Sequence, residues 1–417
     1  MSQNHQMQEK RNFQDNLPKR HSIGKVWETI FQISTTVGII ALIALLLNIT
    51  NSAFGYVAIE NSIDPETLAI NGIPLEQLHP IDLTYILEQN VSAGFFRAQN
   101  NEYPFEERTR EEIYDLVIER VVEPEAVNTW SLFDSLFHKD EIDAEVAEKY
   151  PEADVHFTSW INGNFISSPQ SSDPERAGVR TAVLGSLWVV GITILFAFPM
   201  GVGAAIYLEE YATNDSWLNR LIQTNINNLA GVPSIIYGIL GLAIFVRALE
   251  PITSGAFMGT VDPTTANGRT ILSAGLTLGL LILPLIIINA QEAIRAVPGS
   301  LRQASFGLGA TKWQTIWHHV LPNSIPGILT GTILAVSRAL GETAPLVVVG
   351  ASTFITFDPE SPFSKFTTLP IQIYQWTSRP QDEFRNIAAA AIIVLLIILL
   401  TLNGVAVYMR NKYSKQL

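Results

Sequence analysis

The 417-residue chain contains no cysteine, which excludes disulfide bonds and thiolate metal sites. Histidine is also scarce, and the adjacent pair His318 and His319 would point about 100° apart on a helix, a poor geometry for chelating one metal. A phosphate-binding Gly-x-x-x-x-Gly-Lys-Ser/Thr loop is missing too, because the stretch from Gly307 to Lys312 lacks the closing residues. We therefore expect no metal, no cofactor and no catalytic residues, and we expect that this chain does not hydrolyse ATP.

Charged residues are few, at 16% of the chain, whereas 47% of the residues are hydrophobic. Five runs carry no charge, and each reaches the roughly 20 residues that cross a bilayer core. These runs are Phe31–Ala53, Thr181–Leu208, Leu221–Val246, Thr270–Gln291 and Ile387–Tyr408. A sixth run, from Ser324 to about Ile355, is interrupted only by Arg338 and Glu342. Six spans predict an all-α polytopic membrane protein with both termini on one side.

The distribution of Lys and Arg predicts the orientation of these spans. If both termini are cytoplasmic, the short inner segments hold 12 basic residues and the short outer segments hold five. Because basic residues accumulate on the cytoplasmic side, we interpret residues 1–30 and 410–417 as cytoplasmic tails. The polar segment at about 292–322 then lies inside as well. The first span, 31–54, follows about 30 polar residues and exceeds a usual signal-peptide core, so we expect a retained anchor.

Residues 55–178 form an acidic insert after the first span. From Gly55 to Arg176 the chain has 25 acidic and seven basic residues, a net charge of −18, whereas the remainder of the chain is at +5. The segment Glu111–Val122 predicts a helix, and the region after Val155 predicts strand or irregular structure. The apolar residues expected to build a small core are Ile113, Tyr114, Leu116, Val117, Ile118, Val121, Val122, Trp130, Leu132, Phe133, Leu136 and Phe137. We expect a soluble extracytoplasmic insert, of α or α+β fold, that is long enough to fold alone.

Four of the later spans contain an internal proline, at Pro199, Pro233, Pro284 and Pro345. A proline inside a helix leaves the carbonyl four residues earlier without its amide partner. The carbonyls affected are those of Leu195, Leu229, Leu280 and Gly341. Such interruptions are tolerated where protein or a water-lined cavity surrounds them, so they indicate either ordinary packing kinks or bent helices around a transport pathway.

Arg338 and Glu342 carry the strongest chemical signal inside the membrane. Their spacing of four residues places both on one helical face, where they can pair. A charge at bilayer depth rarely faces lipid, and a guanidinium suits tetrahedral oxyanions because it forms bidentate hydrogen bonds. We predict that Arg338 attracts an anion and that Glu342 orients the Arg338 side chain. Gly341 would allow a close approach of the backbone, and Thr343 would offer a hydroxyl. The alternative is an ion pair that only holds helices together.

Other polar residues near the spans carry a weaker signal. Ser234 and Tyr237 are candidate hydrogen-bond donors along the pathway. Asn225, Asn227 and Asn228 precede them near the inner end of the third span, where they either line a gate or, as we favour, lie at the membrane interface.

The segment from Gln303 to Pro322 lies between two apolar runs and resembles the cytoplasmic loop by which ABC importer permeases bind their ATPase. The positions that keep the family pattern are Ala304, Gly309, Leu321 and Pro322, and those that depart from it are Gln303, Ser305 and His319. The resemblance implies that ATPase coupling involves Ala304, Gly309, Ala310, Thr311, Leu321 and Pro322. Gly309 suits a sharp turn between two short helices because glycine adopts positive φ without strain.

A longer series of motifs resembles the PstA-type permease subunits of bacterial phosphate ABC importers. The matching stretches are Ser167–Gly178, Pro199–Tyr211, Gly231–Gly238, Glu292–Pro298, Arg338–Pro345 and Leu369–Gln381. The sister PstC-type subunits share the loop and the Arg-x-x-x-Glu pattern, but the second, fifth and sixth stretches fit the PstA type better. The acidic insert is larger than the family leads us to expect.

The resemblance implies a six-helix ABC importer permease with a five-helix core at 179–409, in the bacterial inner membrane. It implies a heterodimer with a PstC-type permease, two PstB-type ATPase subunits and a periplasmic phosphate-binding protein, which together import phosphate by alternating access. A permease for another oxyanion, such as molybdate or sulfate, is the close alternative. A membrane sensor that uses the 55–178 insert is a more distant one.

Overall fold

The computed structural model describes residues 17–212, 216–259, 268–352 and 354–414. Residues 1–16 of the predicted N-terminal tail and residues 415–417 of the predicted C-terminal tail lie outside the described residues, as does position 353 in the sixth apolar run. Long helices dominate the described part.

The first half of the chain holds one long helix followed by the mixed structure of the insert. In chain order its elements are α1 (Leu17–Ala53), β1 (Phe54–Asn61), α2 (Pro80–Asn90), α3 (Ala93–Glu102), α4 (Arg110–Val117), β2 (Pro124–Thr129), α5 (Leu132–Phe137), α6 (Lys139–Lys149), β3 (Asp154–Ser159) and α7 (Gly163–Ser167). Three short 3-10 turns and a π-helical turn, Ile118–Val122, connect the helices of the insert. The predicted helix Glu111–Val122 is confirmed, with α4 continuing into that turn.

The second half is helical. Its elements are α8 (Arg180–Ile206), α9 (Trp217–Ala230), α10 (Ser234–Gly241), α11 (Glu250–Thr253), α12 (Ile271–Arg295), α13 (Gly299–Gly307), α14 (Lys312–Thr315), α15 (Leu321–Gly341), α16 (Ala344–Val349), α17 (Leu369–Thr377) and α18 (Asp382–Ser414). Three π-helical turns, Tyr207–Tyr211, Leu242–Ala248 and Ile316–Val320, prolong α8, α10 and α14.

Five of these helical segments are long and apolar enough to cross a membrane, which confirms a polytopic membrane protein. The segments are Lys19–Ala53, Arg180–Tyr211, Ile271–Arg295, Lys312–Gly341 and Asp382–Lys412. The remaining run, predicted as the single span Leu221–Val246, is instead two helices, α9 and α10, that are bent by 108°. The interruption predicted at Pro233 is therefore a sharp break between two helices, and the described residues contain up to six spans if the bent pair is one span.

Proline explains the two interrupted runs. Pro233 precedes the first residue of α10 and Pro345 is the second residue of α16, so each begins a helix, where a missing N–H costs nothing. The predicted span from Ser324 to Ile355 therefore ends at Gly341, and Glu342 is extended. Pro199 and Pro284 lie inside α8 and α12, as predicted.

The helix α12 forms the centre of the permease core. Its residues Leu278 and Ile282 are almost fully buried, and it packs mainly against α8 and α15. A Cβ atom at Gly275 would lie 2.6 Å from the Ile192 side chain of α8, so glycine lets these two helices approach closely. α12 also contacts the two interrupted helices, α10 and α16.

The insert combines a three-stranded antiparallel sheet, in the order β2-β1-β3, with a helical cluster, so it has an α+β fold. The predicted core residues of α4 and its π-helical turn are confirmed as buried or partly buried. Three predicted core residues of α5, Phe133, Leu136 and Phe137, are instead exposed. They are exposed because α5 turns its small Ser135, and not these side chains, towards the sheet.

The insert is also less separate than expected from composition. Trp160 and Phe165, near its end, share one hydrophobic cluster with Trp376 of α17 and Phe384 and Ile387 of α18. These contacts attach the insert to one end of the permease helices, which we call the insert end. The opposite end of α8 carries the loop formed by α13 and α14, and we call it the loop end.

Candidate functional site

The two interrupted helices meet each other beside α12. α10 begins at Ser234 after its break, and α16 begins at Ala344, two residues after Glu342. The contact is close, because a Cβ atom at Gly238 would lie 2.7 Å from the Cα atom of Pro345. Membrane transporters commonly build substrate sites from such discontinuous helices, whose ends expose unpaired backbone groups. This junction is therefore the first candidate for a substrate site.

Arg338 and Glu342 lie at this junction and form the predicted pair. The Nε atom of Arg338 is 3.3 Å from Oε1 of Glu342. The Arg338 side chain is 46% exposed in the isolated chain, whereas that of Glu342 is 18% exposed. The carboxylate therefore anchors one edge of the guanidinium, and the remaining N–H groups face an open region. Whether they contact a substrate stays a prediction.

Tyr237 has a structural task that sequence analysis did not assign. Its ring is buried, and its hydroxyl donates a hydrogen bond of 2.7 Å to the carbonyl of Leu229. Pro233 has no N–H with which to pair that carbonyl four residues earlier. The carbonyl accepts the Val232 N–H at 3.1 Å, and Tyr237 adds a further donor across the break. Only the oxygen lone pairs of Tyr237 remain available to a ligand.

The other predicted pathway residues are distributed around the two breaks. Ser234 and Thr343 are half-buried and stand at the beginnings of α10 and α16. Asn225 and Asn227 lie exposed on α9, and the Asn225 side chain donates a hydrogen bond of 2.8 Å to the Leu221 carbonyl. Ser234 and Tyr237 thus lie on α10, which contacts α16, whereas Arg338 lies near the end of α15. Glu342 and Thr343 form the link between α15 and α16, and the α9 amides lie before the first break.

The loop end has the helix–turn–helix form that the sequence motif predicts. Ala304 lies on α13, and Gly309 adopts a φ of +84° in the turn that follows. Thr311 then caps α14, because its side chain accepts the Gln314 N–H while the Gln314 side chain accepts the Thr311 N–H. Beneath the turn, the hydroxyls of Ser305 and Thr315 lie 2.8 Å apart and are buried. The departure from the family pattern at Ser305 therefore stabilises the turn.

The tip of this loop is more apolar than its sequence suggests. Leu308 is 91% exposed, and Phe306 is exposed beside it. The rings of Trp313 and Trp317 stack with their centroids 5.5 Å apart, and both remain more than half exposed. Large exposed aromatic side chains are typical of protein interfaces. Ala310 and the beginning of α15, Leu321 and Pro322, lie half-buried behind this surface.

Charged contacts brace the loop against the end of α8. Arg302 holds Glu210 through two nitrogens, at 3.1 and 2.9 Å, and also donates to the Val297 and Ile294 carbonyls. Sequence analysis used this acidic stretch only as a family motif and missed its mechanical role. Two signals were present in the sequence, namely adjacent carboxylates at the end of a span and arginines in and near the following loop.

Two further contacts reinforce this brace. Arg295, the last residue of α12, reaches Glu209 at 2.5 Å. The ammonium of Lys312 lies 5.2 Å from the ring centroid of Tyr211, a cation–π distance. The loop, α12 and α8 are therefore joined at three points around the π-helical turn Tyr207–Tyr211.

A known protein family matches the second half of the chain. Residues 197–415 match the family model described as "Binding-protein-dependent transport system inner membrane component". The match covers more than half of the chain and begins after the insert. It contains both interrupted helices and the whole loop end.

Named relatives are similar at 32–35% identity. The chain is 32% identical over 223 residues to the "Probable ABC transporter permease protein YqgI" of Bacillus subtilis, covering 53% of this chain and 69% of the relative. It is 35% identical over 241 residues to the "Phosphate transport system permease protein PstA 1" of Mycobacterium tuberculosis, covering 57% and 72%. It is 34% identical over 209 residues to the "Phosphate transport system permease protein PstC" of Pasteurella multocida, covering 47% and 62%.

Proposed function

We propose that this chain, which belongs to the family of binding-protein-dependent transport system inner membrane components, is the PstA-type subunit of an importer for inorganic phosphate. The assignment of this chain as a permease subunit of an ABC importer rests on its family membership. The choice of phosphate rests on similarity to permeases of phosphate transport systems and on the chemistry of the junction between α10 and α16.

Arg338 is the observation that carries the proposal. It sits at the end of a membrane-spanning helix, and its guanidinium is held from one side by Glu342 at 3.3 Å. A fixed guanidinium binds tetrahedral oxyanions well because several N–H groups converge on their oxygens. Thr343 and the first turn of α10 would add a hydroxyl and backbone N–H groups. The pair bears no net charge by itself, so an arriving anion would compete with Glu342 for the same guanidinium.

In the proposed cycle, the ATPase subunits bind the exposed loop tip around Leu308, Trp313 and Trp317. Closure of the ATPases on ATP would push this loop, and the contacts of Arg302 and Arg295 would pass the displacement to α8 and α12. Because the breaks at Gly231–Pro233 and Glu342–Thr343 separate short helices from long ones, the junction can open to one side and then to the other. ATP hydrolysis itself belongs to the separate subunits in this proposal.

The proposed assembly contains a PstC-type permease, two PstB-type ATPases and a periplasmic phosphate-binding protein, with both termini of this chain cytoplasmic. The insert, at a net charge of −18, would repel free phosphate and is unsuited to concentrate it. A binding protein that encloses its ligand would deliver phosphate without exposing the free anion to the acidic insert. Molybdate and sulfate are also tetrahedral oxyanions, so Arg338 suits them as well, and competition decides between them.

The test is uptake of radiolabelled phosphate by cells that lack this chain and by cells that carry it with its partners. We expect Arg338→Gln to abolish uptake while the affinity-tagged chain still co-purifies with the ATPase and the second permease. The matched control is Arg385→Gln, since Arg385 also pairs with a carboxylate on its own helix, Asp382, at 3.0 Å but lies exposed at the insert end. That control should retain normal uptake.

The double variant Arg338→Gln with Glu342→Gln separates the two roles of the pair. If Arg338 only neutralises Glu342, the double variant should transport again, and the proposed anion contact would be wrong. If this chain and its partners increase the uptake of labelled molybdate or sulfate, but not that of labelled phosphate, the importer would be assigned to the other oxyanion.

A further inference from the structure

The short helix α5 of the insert presents an apolar face to its surroundings. Phe133, Leu136 and Phe137 lie on one side of the helix, at the spacing i, i+3 and i+4, and are 55%, 64% and 69% exposed. The rings of Phe133 and Phe137 also contact each other, with centroids 4.7 Å apart. Three large apolar side chains gathered on one exposed face indicate an interaction surface, because single exposed hydrophobic residues are common but clusters are not.

The opposite side of α5 is firmly attached to the sheet. Ser135 is 5% exposed, and its hydroxyl accepts the backbone N–H of Tyr56 at 2.8 Å while it donates to the Ser131 carbonyl at 2.7 Å. The Ser131 hydroxyl in turn contacts Asp134 at 2.6 Å. These contacts fix the rotation of α5, so its apolar face cannot turn inwards to be buried within the insert.

The position of α5 identifies what covers this face. The backbone N–H of Phe133 donates a hydrogen bond of 2.7 Å to Oδ1 of Asn51, which lies two residues before the end of α1. The apolar run Phe31–Ala53 is long enough to cross the roughly 30 Å hydrocarbon core, so Asn51 lies at its boundary. The α1 span is exposed along its length within this chain, so the apolar face of α5 continues a surface that meets lipid.

We propose that α5 is an interfacial anchor whose face Phe133–Leu136–Phe137 inserts into the membrane surface beside α1. Aromatic side chains are favoured at the level of the lipid headgroups, and a helix with one apolar face lies in the plane of that boundary. Lys139 follows α5, with its ammonium 5.6 Å from the Tyr56 ring centroid, and in this placement its cation would meet lipid phosphates. The anchor holds the insert down on the bilayer and limits how far it can tilt around α1.

The absence of cysteine makes the test direct, because one introduced cysteine gives one labelled site. The full chain carrying Phe137→Cys is labelled with an environment-sensitive fluorophore and reconstituted into phosphatidylcholine–phosphatidylglycerol vesicles. Some vesicles contain lipids with a nitroxide quencher near the headgroup and others contain the quencher at the bilayer centre. The matched control is Ile81→Cys on α2, an exposed apolar residue of the same insert, at 73% exposure.

We expect the Phe137 probe to lose most of its fluorescence with the shallow quencher, less with the deep quencher, and the Ile81 probe to lose little with either. The variant Leu136→Cys, which leaves both phenylalanines in place, should behave like Phe137→Cys. Equal and weak quenching at positions 137 and 81 would overturn the proposal. So would a Phe137 probe that is shielded only when the partner permease or binding protein is added, since that result would assign the face to a protein.

Discussion

The two ends of α8 differ in how many basic partners surround their acidic side chains. At the loop end, Glu209 and Glu210 are each held by one arginine, at 2.5 and 2.9 Å. At the insert end, a cavity of about 460 Å³ collects many carboxylates around Arg176. Its acidic lining residues are Glu119, Glu123, Glu125, Asp173, Glu175 and Glu383.

This difference in charge balance predicts a difference in mechanical behaviour. Matched pairs fix the loop to α8 in one geometry, as the transmission of a displacement requires. At the insert end, Arg176 contacts Glu119 and Asp173, each at 3.4 Å, and the other carboxylates face one another. Burial, and then the charges of Asp173, Glu383 and Glu125, raise the pKa of Glu175 to about 7. The loop end is therefore held by matched ion pairs, whereas the insert end contains a carboxyl group that takes up a proton near neutral pH.

The largest effect should follow from breaking the brace at the loop end. The Glu210 and Arg302 side chains are only 9% and 21% exposed, and removing one partner of a buried pair typically costs about 3–5 kcal/mol. We expect Glu210→Ala to lower the thermal stability of the purified chain clearly and to uncouple ATP hydrolysis from uptake.

The control for this brace is Asp382→Ala at the other end of the bundle. Its partner Arg385 lies at 3.0 Å, but the two side chains are 72% and 65% exposed, and such surface pairs contribute about 0–1 kcal/mol. Comparable losses of stability in the two variants would show that burial does not distinguish the pairs.

An intermediate effect is expected at the turn of the loop. Gly309 has a φ of +84° and Gly307 is helical, yet a Cβ atom at either position would meet no atom within 4 Å. Both positions therefore have room for a side chain, and they differ only in backbone conformation. The left-handed conformation of Gly309 costs residues other than glycine about 1–2 kcal/mol.

We expect Gly309→Leu to impair uptake and ATPase co-purification while the chain still enters the membrane. The matched variant Gly307→Leu should have a smaller effect. If both variants transport alike, the positive φ at Gly309 has no part in coupling.

The smallest effect concerns protons at the insert end. Because the pKa of Glu175 rises from 4.5 to about 7 on folding, the folded state binds the proton more tightly than the unfolded state. Its contribution to stability is fully present below pH 4.5 and is lost as the pH rises through about 7. The protection factors of the segments lining the cavity, which are corrected for the intrinsic pH dependence of amide exchange, should therefore fall over that interval.

Glu175→Gln should remove this contribution to the pH dependence, whereas Glu152→Gln, an exposed carboxylate of the insert, should preserve it. An unchanged pH profile in Glu175→Gln would mean that other groups of the cavity take up the proton.

The sequence by itself determined the membrane architecture and the ATPase-type loop. Apolar length alone identifies spans, since lipid leaves few other solutions for the backbone. The glycine of the loop was predictable because a turn with positive φ needs that residue, and the pairing of Arg338 with Glu342 followed from helical spacing. Both are local features, which depend on residues near each other in the chain.

Only the tertiary structure decided the features that join distant segments. Pro233 and Pro345 were each predicted to bend a helix, but whether a proline kinks a helix or begins one depends on the packing around it, here the contact of Gly238 with Pro345. The arginine partners of Glu209 and Glu210 lie more than 80 residues away, at separations of 86 and 92.

The exposed face of α5 shows the same limit most clearly. From their hydrophobicity alone, its phenylalanines are expected in a core. They lie outside the core because Ser135 faces inwards, where its hydroxyl accepts a hydrogen bond from the Tyr56 N–H of β1, 79 residues away. Hydrophobicity determines that a side chain avoids water, but the surrounding fold determines whether that side chain is buried in protein or in lipid.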